Sequence, residues 1–179
     1  MIFILGFLII AICLGLAGFF SGCEMGFISI NKIRLRHLVE KKYPRAVIVY
    51  ELLKDTTQLL ACLIVGINVA IITASCVNTS LAHFNRMNIF WAELILTFIL
   101  LLFGEIIPKT LFRHHPTKLI LSLIYFLRPS FFLLSPVVNL ITKVTDPIIG
   151  HGKIKETKSP FVTKEELRLL ISEAEEAGS

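Results

Sequence analysis

Residues 1–23 form an unbroken apolar run, MIFILGFLIIAICLGLAGFFSGC, and Glu24 is the first charged position. At 1.5 Å per helical residue such a run crosses a hydrocarbon core of about 30 Å, so the pattern predicts a membrane span over about residues 2–23. The run lacks a basic n-region and is too long for the apolar segment of a signal peptide, so we read it as a retained span. The pattern then turns polar, basic and amphipathic over NKIRLRHLVEKKYPRAVIVYELLKD. Leu35, Leu38 and Val39 share one helical face there, and a second short helix follows Pro44. From Thr56 to Asn85 no Asp, Glu, Lys or Arg occurs, which predicts a second span over about 57–81. A short polar loop, HFNRMN, precedes a third apolar segment, about 89–112, that encloses Glu93, Glu105 and Lys109. The last apolar stretch, 119–142, is interrupted by Arg128-Pro129, with Pro136 and Pro147 as further helix breakers. Each half is too short to cross alone, so we expect two short helices lying on the membrane or against the bundle; a fourth span is the competing reading.

The distribution of charge orients these spans. Lys32, Arg34, Arg36, Lys41, Lys42, Arg45 and Lys54 crowd the segment 31–56, whereas the loop 83–90 holds only Arg86. Further lysines follow at 143, 153, 155 and 158. Since Lys and Arg concentrate on the cytoplasmic side, the expected topology has three spans, the N-terminus outside, and the juxtamembrane helices and C-terminus inside. The net charge of +5 is then a property of the membrane face, and no nucleic-acid partner need be invoked.

Composition agrees. The chain is 55% hydrophobic and only 17% charged, outside the range of an ordinary soluble domain and opposite to a disordered one. Its 179 residues are too few for a transporter of ten or twelve spans. The expected fold is therefore an all-α membrane domain over 1–149. Gly150 to Val162 reads as a linker. From Thr163 an N-cap, with Glu166 completing a capping box, opens an acidic helix over 163–179. A lone acidic helix behind a linker suggests a fragment of a longer protein. Cys13, Cys23, Cys62 and Cys76 form no C-x-x-C pair and lie in apolar runs, so they read as packing residues. No P-loop, G-x-S-x-G or H-E-x-x-H motif and no nucleophile–base pair occurs, so an enzyme is not expected.

Three places break the apolar pattern. Phe20-Ser21-Gly22-Cys23-Glu24-Met25-Gly26 puts small residues and a carboxylate at the end of the first span; close helix packing and a local unwinding are both open. Gly66-Ile67-Asn68 lies in the second span, with Thr73, Ser75 and Asn78 beyond it, and Asn68 reads equally as interhelical glue or as a ligand. Gly104-Glu105-Ile106-Ile107-Pro108-Lys109 lies in the third. By α-helical counting Pro108 frees the Gly104 carbonyl beside the Glu105 carboxylate, a pairing that suits a hard cation; an ion pair from Glu105 to Lys109 one turn on is the alternative. Ser21, Asn68, Glu105 and the Gly104 carbonyl are all oxygen donors, which suits Mg²⁺ or Na⁺ better than Zn²⁺ or copper.

FFSGCEMGFISINKIRLRHL resembles the first-span signature of the CorC/cyclin M (CNNM) membrane domain, roughly F-S-x-x-E-x-x-x-x-S followed by a basic helix, and LLFGEIIPKTLF matches the family's G-E-I-x-P-K motif. FVTKEELRLLISEAEEAG resembles the acidic helix that precedes the family's paired CBS domains, which are absent here. In the second span, where family members often read G-N-N-L-V-N, this chain has Gly66-Ile67-Asn68-Val69-Ala70-Ile71. The resemblance implies a homodimeric three-span domain of the plasma membrane, with cytosolic juxtamembrane helices, that moves Mg²⁺, usually by Na⁺-coupled efflux under nucleotide control at the CBS domains. The implied ligands are Ser21, Asn68, the Gly104 carbonyl and Glu105, with Pro108 as the helix breaker and Glu24, Ser29 and Ser75 as accessory candidates. A Mg²⁺-binding membrane sensor or scaffold that does not transport is the alternative.

Overall fold

The computed structural model describes residues 2–149, with side chains placed through residue 136. The linker and acidic helix expected at 150–162 and 163–179 lie outside the described residues. Among those residues every regular element is helical, and no strand occurs. α1 spans Ile2–Ser29, α2 Lys32–Glu40, α3 Pro44–Leu52, α4 Thr56–Phe84, α5 Ile89–Ile99, α6 Ile107–His114 and α7 Pro116–Ile149. A 3₁₀ turn, Leu53–Asp55, leads into α4, and a π-helical segment, Leu100–Ile106, joins α5 to α6 without a break. The predicted spans over 2–23, 57–81 and 89–112 thus correspond to α1, α4 and the composite rod α5–π–α6.

Local chemistry sets the boundaries. The Asn31 side chain accepts from the Arg34 N–H to cap α2, Asp55 does the same for Gln58 at the start of α4, and Asn88 caps α5 through Phe90. Pro44 occupies the first turn of α3, where its missing N–H leaves nothing unpaired. α2 and α4 both end in a six-to-one closure, Tyr43 N–H to the Leu38 carbonyl and Met87 N–H to that of Ala82. The left-handed residue this closure requires is Lys42 (φ 56°) in the first case and Arg86 (φ 53°) in the second.

α1 is the hub, packing along α4 on one side and along the π segment and α6 on the other. The larger apolar core lies at the basic end of the bundle, where Phe20, Cys23 and Phe27 of α1 meet Leu59 and Leu63 of α4 and Phe112 of α6. Leu35, Ala46 and Val49 are fully buried in the same core, so α2 and α3 pack as part of the bundle. A smaller core at the far end joins Cys13, Ala74, Leu96 and Leu100. Elsewhere the outward faces are apolar, as lipid-facing helices require. Cys13, Cys23 and Cys62 are buried packing residues as expected, whereas Cys76 is exposed on the bundle surface.

The pair of short helices expected over 119–142 is not what forms. α7 is one continuous helix of 34 residues that runs through Pro129 and Pro136. Its buried positions, Thr117, Ile120, Ile124 and Leu127, continue in the half-buried Phe131 and Leu134 at steps of three and four, so the packing stripe crosses Pro129 in register. Pro129 itself faces outward, and the Ser130 hydroxyl donates to the Phe126 carbonyl one turn back. Packing over that stripe outweighs the one backbone hydrogen bond that proline removes. Including α7, four helices among the described residues are long and apolar enough to cross a membrane.

Candidate functional site

The third rod departs from α-helical geometry at the G-E-I-x-P-K segment. The Ile107 N–H donates to the Leu102 carbonyl, five residues back, and the π register extends over Leu100–Ile106. Segments of this kind insert an extra residue into a helix and often mark functional positions. In an i→i−5 ladder the next donor would be Pro108, which has no N–H, so the register change adds the Phe103 carbonyl to that of Gly104 as a candidate free acceptor. Gly18 of α1 approaches this point: a Cβ there would stand 3.2 Å from Pro108 Cγ and 3.4 Å from the Phe103 carbonyl oxygen. Gly104 is buried against Ala17 and Leu14.

The α1 side of the contact is a stripe of small residues. Ala17 and Ser21 are fully buried, Gly22 packs under the Phe112 ring, and Gly26 packs under Ile120. α1 is unbroken through Ser29, so of the two roles left open for these residues, close packing is the one realised. The Ser21 Oγ is completely enclosed and has no hydrogen-bond partner among the described residues. Buried hydroxyls are normally paired, so an orphan of this kind marks a position with unused donor and acceptor capacity.

One helical turn beyond Ser21, Glu24 points at the third rod. Lys109 Nζ lies 3.3 Å from Glu24 Oε2 and 3.7 Å from Glu105 Oε1, so one ammonium bridges carboxylates of two different helices. The Glu24 side chain is 17% exposed and that of Glu105 32%, which places both in the wall of the bundle, not free in solvent. The Glu105–Lys109 pair, the alternative to a ligand role for Glu105, is therefore present but is only half of the arrangement. Glu24, named from the sequence only as an accessory candidate, is the closer partner. A sequence signal for this existed: α1 and the third rod run in the same direction, and Glu24 and Lys109 lie at nearly equal distances along their spans, after Ile2 and Ile89 respectively.

Asn68 is elsewhere. It sits on the exposed face of α4, opposite the buried Gly66, Ile67 and Ala70, and its amide donates to the Ile64 carbonyl of its own helix at 2.9 Å. Among the described residues no hydrogen bond or ion pair joins Asn68, Ser29 or Ser75 to the Glu24–Lys109–Glu105 cluster. A second polar contact, not anticipated, ties α4 to α5 at the far end: Glu93 Oε1 accepts from Asn78 Nδ2 at 3.0 Å and from the Thr79 hydroxyl at 2.8 Å. No group of three or more His, Cys, Asp or Glu side chains forms a metal-ligating cluster among the described residues. The Glu24 and Glu105 carboxylates are oxygen donors of the kind hard cations prefer over soft metals.

Long apolar helices around a half-buried polar cluster define an integral, multi-pass membrane protein. The chain belongs to the CNNM family: the cyclin M transmembrane N-terminal domain matches residues 8–179, and the chain carries no CBS domain. It is 34% identical over 176 residues to a UPF0053 protein of Haemophilus influenzae, covering 96% of this chain and 41% of that protein. It is 30% identical over 163 residues to the UPF0053 inner membrane protein YfjD of Escherichia coli, covering 89% and 38%. A DUF21 domain-containing protein of Arabidopsis thaliana, described as chloroplastic, is 29% identical over 174 residues. The chain thus spans about two-fifths of the length of the two bacterial relatives. Proteins of this family are generally linked to divalent-cation transport.

Proposed function

We propose that this chain carries Mg²⁺ across the plasma membrane, as Na⁺-coupled efflux, with no chemical conversion of a substrate. The observation that carries this reading is the buried, unpartnered Ser21 hydroxyl one turn from Glu24 and one turn along α1 from Ala17 and Gly18, which meet the π segment. Charged groups inside a membrane bundle are costly and tend to mark ion pathways. Mg²⁺ demands near-octahedral oxygen ligation and gives up water reluctantly. In this reading Ser21, Glu105, Glu24 and carbonyls of the π segment, at Phe103 and Gly104, form the shell. Asn68 joins it only when α4 turns its outward face toward α1, and that rotation is the alternating-access movement.

The proposed topology follows the lysine and arginine asymmetry: N-terminus outside, α2 and α3 inside, C-terminus inside, and α7 leaning on α1 and α4 without crossing. A four-span topology is the second reading. It is favoured by the continuity of α7 and by a groove in which Ser130, Leu133 and Leu134 meet Cys13 and Leu16 of α1. Cysteine labelling at positions 86 and 155 in intact cells separates the two, because only a crossing α7 makes 155 accessible from outside. A homodimer paired through the exposed apolar face of α5, at Leu94, Ile95 and Phe98, completes the proposal. The cytosolic CBS domains would belong to a longer protein.

Calorimetric titration of the purified chain with Mg²⁺, Na⁺, Mn²⁺ and Ca²⁺, followed by Mg²⁺ flux from proteoliposomes with and without a Na⁺ gradient, tests the function. Mg²⁺ binding without flux establishes the sensor or scaffold reading, and no Mg²⁺ binding refutes both.

A further inference from the structure

We propose that the Lys109 ammonium is the resident counter-ion of this site, and that a divalent cation enters by displacing it from Glu24 and Glu105. The inference rests on the Mg²⁺-carrier reading above and assigns Lys109 a role in that same site. Lys109 Nζ stands within ion-pairing distance of both carboxylates, and it belongs to the same helical rod as one of them and faces α1, which carries the other. Charge counting then restricts what the site can hold. Two carboxylates and one ammonium sum to −1. A divalent cation in place of the ammonium brings the sum to zero, whereas both together give +1 with two cations facing each other at close range. An empty site with the lysine withdrawn is left at −2 inside a bundle of apolar helices, the costliest of the four states. The low-cost cycle therefore alternates between a lysine-filled and an ion-filled cluster, and the two cations exclude one another.

Two observations support an exchange over a fixed structural salt bridge. The Ser21 hydroxyl, fully buried one turn from Glu24, has no partner among the described residues. The ammonium therefore offsets one of the two negative charges and does not complete the hydrogen bonding of the site, and a place for a further oxygen-seeking group remains. The Lys109 side chain is also 38% exposed, so its flexible four-carbon stem has a route to the membrane surface without passing through the core. The backbone need not move for this, because the Pro108 ring locks its own φ next to Lys109 and the Thr110 hydroxyl bonds to the Ile106 carbonyl one turn back. Lysine suits the role better than arginine, whose planar fork holds carboxylates in bidentate pairs and releases them less readily.

The test compares Mg²⁺ affinity and Mg²⁺ flux for the full chain and two variants, with elution profile and helical circular dichroism as the check on folding. Lys109→Gln removes the competitor, so Mg²⁺ should bind at least ten-fold tighter, while flux in proteoliposomes should fall at least ten-fold because the emptied site no longer has its counter-ion. Lys109→Arg keeps charge and fold and should bind Mg²⁺ several-fold more weakly. Folded Lys109→Gln protein with equal or weaker affinity, or with undiminished flux, overturns the proposal. Should the glutamine variant not fold, unchanged affinity in Lys109→Arg overturns it. Failure of the unmodified chain to bind Mg²⁺ sinks the carrier reading itself, and this inference with it. Normal Mg²⁺ binding in the unmodified chain with no response to either substitution sinks the counter-ion role alone.

Discussion

Gly22→Ala is the most direct probe of how α1 positions the site, because the structure fixes what the added methyl would meet. A Cβ at residue 22 would lie 2.6 Å from both Cδ2 and Cε2 of Phe112, against the 3.5–4.0 Å at which carbon atoms come to rest. The ring or the helix must therefore retreat by about 1 Å. Phe112 is buried in the main core, so the ring has little room to rotate away, and overpacking of this kind costs about 1–3 kcal/mol. Gly22 lies between Ser21 and Glu24, so the same 1 Å opens the gap to Glu105 and Lys109. Mg²⁺ ligation near 2.0–2.1 Å tolerates far less than that, and we expect a loss of Mg²⁺ affinity of at least ten-fold together with a lower melting temperature in detergent. Gly15→Ala is the control: nothing stands within 4 Å of a Cβ there, so stability should hold or rise slightly. Phe112→Leu in the Gly22→Ala background should recover part of both losses, and a double-mutant cycle measures the coupling. Additive effects of the two substitutions, or Gly22→Ala with unchanged melting temperature and affinity, would refute the claim that this contact sets the geometry.

Glu105→Gln keeps the shape and removes the charge, so it should weaken Mg²⁺ binding in calorimetry far more than it lowers the melting temperature. Asn68→Ala should have a smaller effect on affinity than Glu105→Gln, since the amide donates to the Ile64 carbonyl of its own helix. Glu93→Ala removes an acceptor shared by Asn78 and Thr79 and should destabilise the α4–α5 hairpin by about 1–2 kcal/mol, read as earlier unfolding in denaturant. Arg86→Gly relieves a left-handed residue at the end of α4 and should raise the melting temperature, whereas Arg86→Val should lower it.

The apolar runs and the caps were legible in the linear sequence because both are local properties. Transfer of some twenty consecutive apolar residues into lipid depends on composition alone, and an N-cap needs only the side chain and the amides two or three residues on. α1, α4 and the third rod accordingly begin and end within a few residues of their predicted limits, apart from the six-residue extension of α1 to Ser29. The polar breaks at Ser21–Glu24 and at Glu105–Pro108 were visible for the same reason. What the sequence could not decide depends on register and on partners distant along the chain. The π segment brings the Phe103 carbonyl, beside that of Gly104, opposite a proline that cannot donate, because one extra residue in the ladder shifts the donor register by one position. Asn68 faces away from α1 because Gly66, where Phe20 packs, sets the rotation of α4. α7 continues past Pro129 because a stripe of side chains finds its partners on α1, α3 and α4, a gain that no local propensity records. Lys109 bridges Glu24 as well as Glu105 only because Gly18, Gly22 and Gly26 let α1 approach the third rod closely enough to bring the two carboxylates to one ammonium.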